Sequence, residues 1–412
     1  MAGPVMRVCV VGSGGREHAL ASALARDATV VVTPGNAGIP NSTPQPAEEI
    51  DADLFVIGPE DPLVAGVADR LRAQGKLCFG PGADGARLEG SKAWMKEVLD
   101  AAGVPTAGHA SFTDLEPALA YLDTMAGFYV VKTDGLAAGK GVIVTESIAE
   151  ARDAVRDYLS GAAFGDAGRR VVIEEGLTGP ELSLLAICDG RKIAVLAPAQ
   201  DFKRVGAGDV GPNTGGMGAY SPVPVAGSAV VDEAVSRAVE PTVHELRRRG
   251  VDYRGVLYAG IMLTPAGLKV LEYNVRFGDP ETQVVVPRLS SSLTALLAEA
   301  AAGELRHDAR FVDAAAVTVV CATEHYPARP RTGDRIRGLD AANAIEGVTV
   351  YCAGVRGAGP GDDDGLYTSG GRVLNVTAMG ATIGEARERA YRAVRCISWP
   401  GMHYRADIAA RV

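Results

Sequence analysis

The chain has 412 residues, 47% hydrophobic and 22% charged, a composition and length that provide for two or three domains with sizeable cores. Lysines and arginines number 41 against 50 aspartates and glutamates, and the resulting charge of -9 excludes nucleic acid or an anionic membrane surface as the main partner, since either calls for a basic stripe. The one cationic run, Arg247 to Arg249, ends a helical pattern and there complements the helix dipole.

The six cysteines are scattered through mostly apolar runs with no C-x-x-C pair, which reads as buried thiols of a reducing compartment. The histidines show no metal-ligand spacing. The start MAGPVMRVCVVG is too short and too quickly polar for a signal peptide, and no run approaches membrane-spanning length. A cytoplasmic protein is expected.

In chain order, the first ninety residues repeat a β-branched run followed at once by a glycine or proline loop: VCVVGSGG (8–15), VVVTPGNAG (30–38), LFVIGPED (54–61) and LCFGPG (77–82). A helical pattern from Glu17 to Arg26 separates the first two. This predicts an open parallel α/β sheet with ligand-binding loops at the carboxyl ends of its strands. Ser91 to Ala102 reads as a helix with a serine cap and Gly103 as its stop. Short strands come next at 128–132, 141–145, 170–176, 181–190 and 191–200. After them are a helix over 230–249 with Pro241 inside it, a strand pair at 256–263 and 268–275, and a helix through Leu293 to Gly303. From about 304, strands at 316–322, 348–352 and 372–377 and a helix striped by Ala386, Ala390, Val394 and Ile397 predict a small α+β domain. The Asp362 to Asp364 run reads as a solvated loop.

Four stretches carry chemistry. KTDGLAAGKGV (132–142) fails the Walker pattern at both ends, with Asp134 where the first glycine belongs and Gly141 where the hydroxyl belongs. Strands flank it on both sides, so it reads as a hairpin tip whose backbone N–H groups and lysine can fold over phosphates, with Lys132 adding a second cation. In VLEYNVRFGDPETQ (270–283), strand alternation sends Glu272, Asn274 and Arg276 to one face. A carboxylate, an amide oxygen and a guanidinium there suit magnesium and a phosphoryl group. DFKRVGAGDVGPNTGGMGAYSP (201–222) is too glycine-rich for a long helix or strand, and can offer backbone donors to an anion with Lys203 and Arg204 assisting. VVGSGGREHAL (10–20) lacks the third glycine of a dinucleotide fingerprint, which disfavours a nicotinamide-dependent oxidoreductase, yet the turn can hold a phosphate at Gly14 and Gly15 beside Arg16.

Taken together, KTDGLAAGKGV, IEEGLTGPELS, LEYNVRFGDPETQ, GSGGREHAL, PGNAG, GPE, GSKA and PNTGGMGAYSP closely resemble the phosphoribosylamine–glycine ligase family of ATP-grasp enzymes, through nearly the whole chain. The resemblance implies an ATP-grasp fold with an amino-terminal open parallel α/β domain (1–90), an ATP-grasp domain (91–303, with a lid at about 106–178) and a small carboxyl-terminal α+β domain (304–412). It implies ligation of glycine to 5-phosphoribosylamine in purine biosynthesis, with ATP as co-substrate, Mg²⁺ or Mn²⁺ as cofactor and glycyl phosphate as intermediate. A monomer is implied as well.

Carried over by residue, Lys92 and Lys132 contact ATP phosphates under the loop Gly135, Leu136, Ala137, Ala138, Gly139, Lys140 and Gly141. Glu174, Glu175 and Leu177 lie along the adenine edge, and Glu181 binds the ribose. Glu272 and Asn274 are the metal ligands, and Arg276 is the catalytic cation. The amine substrate lies between Gly14, Gly15, Arg16, Asn36 and Glu60 on one side and Lys203, Arg204, Asn213, Thr214, Gly215, Gly216, Met217, Gly218 and Asp279 on the other. Two departures stand out. No acid occupies Tyr258-Ala259-Gly260, where other ATP-grasp enzymes place a first metal ligand, and only NSTPQPAEEIDAD separates the PGNAG and GPE loops, so the first domain is a layer short.

Overall fold

The computed structural model describes residues 5–135, 141–161 and 169–412. Four parallel strands open the chain, Arg7–Gly12, Thr29–Pro34, Leu54–Ile57 and Leu77–Phe79, with the first lying between the second and the third. Val8, Cys9, Val10, Leu54 and Phe55 are fully buried, as expected of β-branched and apolar runs covered on both faces. The chain leaves the first strand toward one side and returns to the other. The loops after Gly12 and Ile57 therefore flank a switch point, where open α/β sheets take their ligands. The short connection before Leu54 holds a single turn, Ala47–Glu49, and plugs the sheet with buried Ile39, Ala47 and Ile50.

The helix Lys92–Ala102 forms as its caps dictate. Ser91 Oγ accepts from Trp94 N at 3.1 Å, and Gly103 closes it at φ 66°, a conformation that favours glycine. Trp94, Met95, Val98 and Leu99 turn inward.

Two four-stranded antiparallel sheets come after this helix. One orders His109–Phe112, Val171–Glu175, Tyr129–Thr133 and Val142–Thr145, and packs on the helices Leu115–Leu122 and Ile148–Leu159 with an apolar core of its own. The other orders Ile193–Val195, Glu181–Asp189, Arg254–Thr264 and Gly267–Asn274. Its core is shared with the rest of the molecule, one cluster joining Phe55, Leu184 and Val376.

The helix expected over 230–249 is interrupted. Ser228–Ala234 and Glu240–Arg248 are α-helical, and a π-turn at Val235–Val239 joins them. Pro241 has no N–H to give and its ring crowds the preceding turn, so the chain widens one turn ahead of it.

A five-stranded antiparallel sheet orders Gln200–Asp201, Gly218–Ser221, Ala315–Ala322, Arg372–Gly380 and Val348–Cys352, with the helix Ile383–Val394 against it. It takes two of its strands from the glycine-rich stretch of the central part. One expectation needs correction. Five cysteines are buried but Cys396, just past the last helix, is exposed. The Asp362–Asp364 run is a solvated loop as expected, with surface ion pairs from Asp362 to Arg356 at 2.7 Å and from Asp363 to Arg335 at 3.0 Å. Among the described residues no helix is long and apolar enough to cross a membrane.

Candidate active site

A cavity of about 540 Å³ lies where the three parts meet. Behind the wall that holds Lys92, Gly135 and Gly141 sits a buried triad that does not itself line the cavity. Lys132, on the strand Tyr129–Thr133, places Nζ 2.9 Å from Glu174 Oε1, and Lys96 Nζ lies 3.3 Å from Oε2. Burial pushes the Glu174 carboxyl up, but the two lysines outweigh it and hold the group below its usual range. Burial lowers Lys96 to about 8 against the pull of Glu174. Lys96 also donates to Thr106 Oγ1 at 2.7 Å, which donates to Val270 O at 2.7 Å, so the triad is fixed to the neighbouring sheet. Lys92 opens its helix and donates to Gly135 O at 2.9 Å, and burial again depresses it.

Glu174 thus forms ion pairs with two lysines, although its Oε1 has no aligned hydrogen bond among the described residues. Glu175 turns outward to Gly108 N at 3.0 Å and to Lys269, with half-buried Leu177 just beyond. Glu181 pairs with Lys203. Gly135 and Gly141 line the cavity at the ends of two strands that pair antiparallel, from Tyr129 with Thr145 to Lys132 with Val142. Leu136, Ala137, Ala138, Gly139 and Lys140 lie outside the described residues.

The strand Gly267–Asn274 carries an extra residue. Gly260 pairs with Glu272 and Ile261 with Val270, which leaves Leu271 as a bulge. A bulge re-aims the side chains beyond it, and here Glu272, Asn274 and Arg276 all enter the cavity wall. Burial would raise the Glu272 carboxyl, but Lys132, Lys203, Lys92 and Arg276 together hold it below the usual range, so it stays ionised. Its carboxylate and the Asn274 amide oxygen form a hard-oxygen pair on one face. That suits Mg²⁺ or Mn²⁺, which take one or two side-chain oxygens and complete their shell with phosphate and water. The pair fits such a cation.

Arg276 is held by two carboxylates, Glu60 at 3.2 Å and Glu89 at 3.1 Å, and by Asn274 Oδ1 at 3.2 Å. Burial raises Glu89, and Arg276 offsets this only in part. Where no acid stands at 258–260, Tyr258 pairs with Asn274 across the sheet and donates to Glu281 Oε1 at 2.5 Å. A cavity-lining carboxylate therefore reaches this place from elsewhere in the sequence. Burial, with Glu281 and Glu181 nearby, lifts Asp201 to about 7 in spite of Lys203.

The other end of the cavity is made by loops. Gly14 N donates to Glu17 Oε2 at 2.6 Å as the helix Gly15–Leu24 begins. Arg16 pairs with Glu17 at 2.5 Å and donates to Phe277 O at 3.1 Å. Asp279 accepts from Gln283 at 2.7 Å and pairs with Arg372 at 3.0 Å. Thr214 and Gly215 complete the wall. Gly216, at φ 105°, sits so close to Pro280 that a Cβ would come within 2.5 Å of its ring.

Eight of the sequence-predicted residues, Gly14, Gly15, Asn36, Arg204, Asn213, Gly216, Met217 and Gly218, are not in the lining of this end. Asn36 is a clasp, its Nδ2 donating to Ser13 O at 2.8 Å and Ala353 O at 3.0 Å. Arg204 and Asn213 pair across a two-stranded ribbon, with Asn213 exposed. Met217 and Gly218 are buried where the strand Gly218–Ser221 begins. Sequence reasoning missed Glu89, Asp201, Tyr258, Glu281 and Arg372 in the wall. Glu281 lies inside LEYNVRFGDPETQ, Asp201 opens DFKRVGAGDVGPNTGGMGAYSP and Glu89 directly precedes GSKA, so these three had a motif that could point to them.

Sequence models of phosphoribosylglycinamide synthetase match the chain in three parts: the N domain over residues 6–89, the ATP-grasp (A) domain over 90–282 and the C domain over 316–411. The phosphoribosylamine–glycine ligase of Streptomyces coelicolor is 49% identical, covering 98% of this chain and 99% of its own. That of Escherichia coli O6:H1 is 47% identical, covering 98% of each. A phosphoribosylamine–glycine ligase structure from Thermotoga maritima superposes with TM-score 0.87 at 34% identity, over 98% of this chain and 100% of the other. The biotin carboxylase domain of Hydrogenobacter thermophilus 2-oxoglutarate carboxylase shares the fold, with TM-score 0.74 at 16% identity over 97% of this chain and 91% of that one.

Proposed function

The chain belongs to the phosphoribosylglycinamide synthetase family, and from that premise we propose how its cavity divides the work of ligation. The reaction is the ATP-dependent joining of glycine to 5-phosphoribosylamine, giving glycinamide ribonucleotide, ADP and phosphate in purine biosynthesis. A carboxylate is a poor acyl donor. A glycine carboxylate oxygen therefore attacks the γ-phosphorus of ATP, ADP leaves, and glycyl phosphate results. The amine nitrogen then attacks the carbonyl carbon, phosphate departs with the C–O bond electrons, and the nitrogen loses a proton. No protein nucleophile is needed, so the chain's task is positioning and charge stabilisation.

In this reading Lys92 and Lys132 hold the ATP phosphates and Arg276 meets the charge on the transferring phosphoryl. Glu272 and Asn274 hold a divalent cation, Mg²⁺ or Mn²⁺, which supplies Lewis-acid stabilisation to the phosphate oxygens when bound. The antiparallel sheet that carries Lys132 has a core of its own, which suits a unit that hinges as one piece over the nucleotide. Glu174 holds Lys132 in place, while Glu175, Leu177 and Glu181 serve the adenosine side. The sugar phosphate lies between the Gly14–Arg16 turn with Glu60 and the Thr214–Gly215 loop with Asp279. The observation that carries this division is the convergence of Lys92, Lys203 and Arg276 on the ionised Glu272 in one cavity, with Lys132 acting on the same carboxylate from behind the wall.

The test is ADP release with freshly generated phosphoribosylamine, omitting glycine or the amine in turn. Release should need both substrates and a divalent cation. Release indifferent to both substrates would sink the proposal.

A further inference from the structure

The carboxyl-terminal part reaches the cavity through Arg372, at the start of the strand Arg372–Gly380. Its pairing with Ala315–Ala322 contains an extra residue: Cys321 faces Leu374 and Ala322 faces Arg372, so Val373 bulges. In an unbroken strand residues 372 and 375 project to opposite faces. The bulge brings both toward Asp279 and Gln283. Asn375 there is 1% exposed, packs on Gly15, and has neither end of its amide satisfied by protein among the described residues.

Arg372 Nη1 donates to Asp279 O at 2.8 Å and to Gly215 O, and Nη2 lies 3.0 Å from Asp279 Oδ2. One guanidinium thus spans two loops that face each other across the cavity. The fit is close, since a Cβ at Gly215 would fall 3.0 Å from Arg372 Cζ. Arg372 has no contact among the described residues with Lys92, Lys132 or Glu272.

We propose that Arg372 is a positioning residue for the phosphorylated amine: by holding Gly215 against Asp279 it sets the width of the loop-built end. Recognition of the amine then depends on the carboxyl-terminal part, while recognition of ATP and glycine does not. The inference rests on the ligase reading above. A lysine cannot replace the arginine, because a single ammonium does not span two carbonyls and a carboxylate in one plane.

Arg372→Met and Arg372→Lys are compared with the intact wild-type chain in steady-state assays varying each substrate. Loss of a charge-assisted network should raise KM for phosphoribosylamine about tenfold or more in both variants. KM for ATP should stay within about twofold, since Lys92, Lys132 and Glu272 are untouched, and KM for glycine should not follow the rise for the amine. An unchanged amine KM, a fall in kcat alone, or a parallel rise in all three KM values would each overturn the proposal. If the methionine variant does not fold, the lysine variant carries the same readout. Wild-type protein lacking amine-dependent ADP release would instead overturn the ligase reading, so the two failures are distinct.

Discussion

The two ends of the cavity are built on opposite principles. At the lysine-rich end, Lys132, Glu174 and Glu272 sit on paired strands, and Glu174, 2% exposed, lies between Lys96 and Lys132. At the loop-built end, the walls are loops from three distant stretches, held by single side chains such as Asn36 and Arg372 that cross between them. Charge density therefore rests on sheet geometry, which suits the fixed partners that the proposed phosphoryl transfer needs. Shape recognition rests on loops, where small shifts change what fits.

Three substitutions would break or sharpen this contrast. The largest effect belongs to Glu272→Ala. Turnover should fall by about a thousandfold or more, the scale expected when a central electrostatic group is lost. Circular dichroism should show that the variant remains folded, so that the loss is one of chemistry and not of the fold. Retained wild-type turnover would refute its role as a metal ligand.

Next is Lys96→Met, which leaves Glu174 with one lysine. Removing one partner from a buried ion pair costs about 3 kcal/mol, read as a lower denaturant midpoint, and KM for ATP should rise as Lys132 is drawn toward the unbalanced carboxylate. A midpoint at the wild-type value would show that the triad adds nothing to the lysine-rich end.

The smallest effect is a pH dependence at the other end. His18 Nδ1 accepts from Cys352 N at 2.9 Å, joining the first helix to the carboxyl-terminal sheet, and burial lowers its pKa to about 4. The folded value lies below the unfolded one near 6.5, so the protein binds fewer protons when folded. This contribution is complete above pH 6.5 and is lost as pH falls toward 4. His18→Gln should flatten the decline in stability over that window. A variant as steep as wild type would remove His18 from the seam.

Much of the lysine-rich end was legible because local rules act there. Ser91 and Gly103 bracketed their helix, and strand alternation put Glu272, Asn274 and Arg276 together even though it gives no sign of the bulge at Leu271. The strands on either side of the glycine loop pair as their β-branched runs suggest, while residues 136–140 between them lie outside the described residues. The loop-built end was legible only as motifs. Asn36 has the look of a ligand contact in its PGNAG loop, yet its amide serves three backbone oxygens rather than the cavity wall. Arg372 was hidden by a one-residue bulge that no pattern of apolar residues announces, and Asp201 and Glu281 owe their position to long-range packing. Pro241 marked its irregularity correctly, but not that a widened turn would absorb it.

The five-stranded sheet has a consequence for anyone who would cut or recombine the chain. Gly218–Ser221 hydrogen-bonds to Ala315–Ala322, so a break near residue 304 strips a strand from its partner and leaves two bare edges, each a template for aggregation. A transplantable carboxyl-terminal module would have to carry the 200–221 segment with it, and with that segment one wall of the cavity.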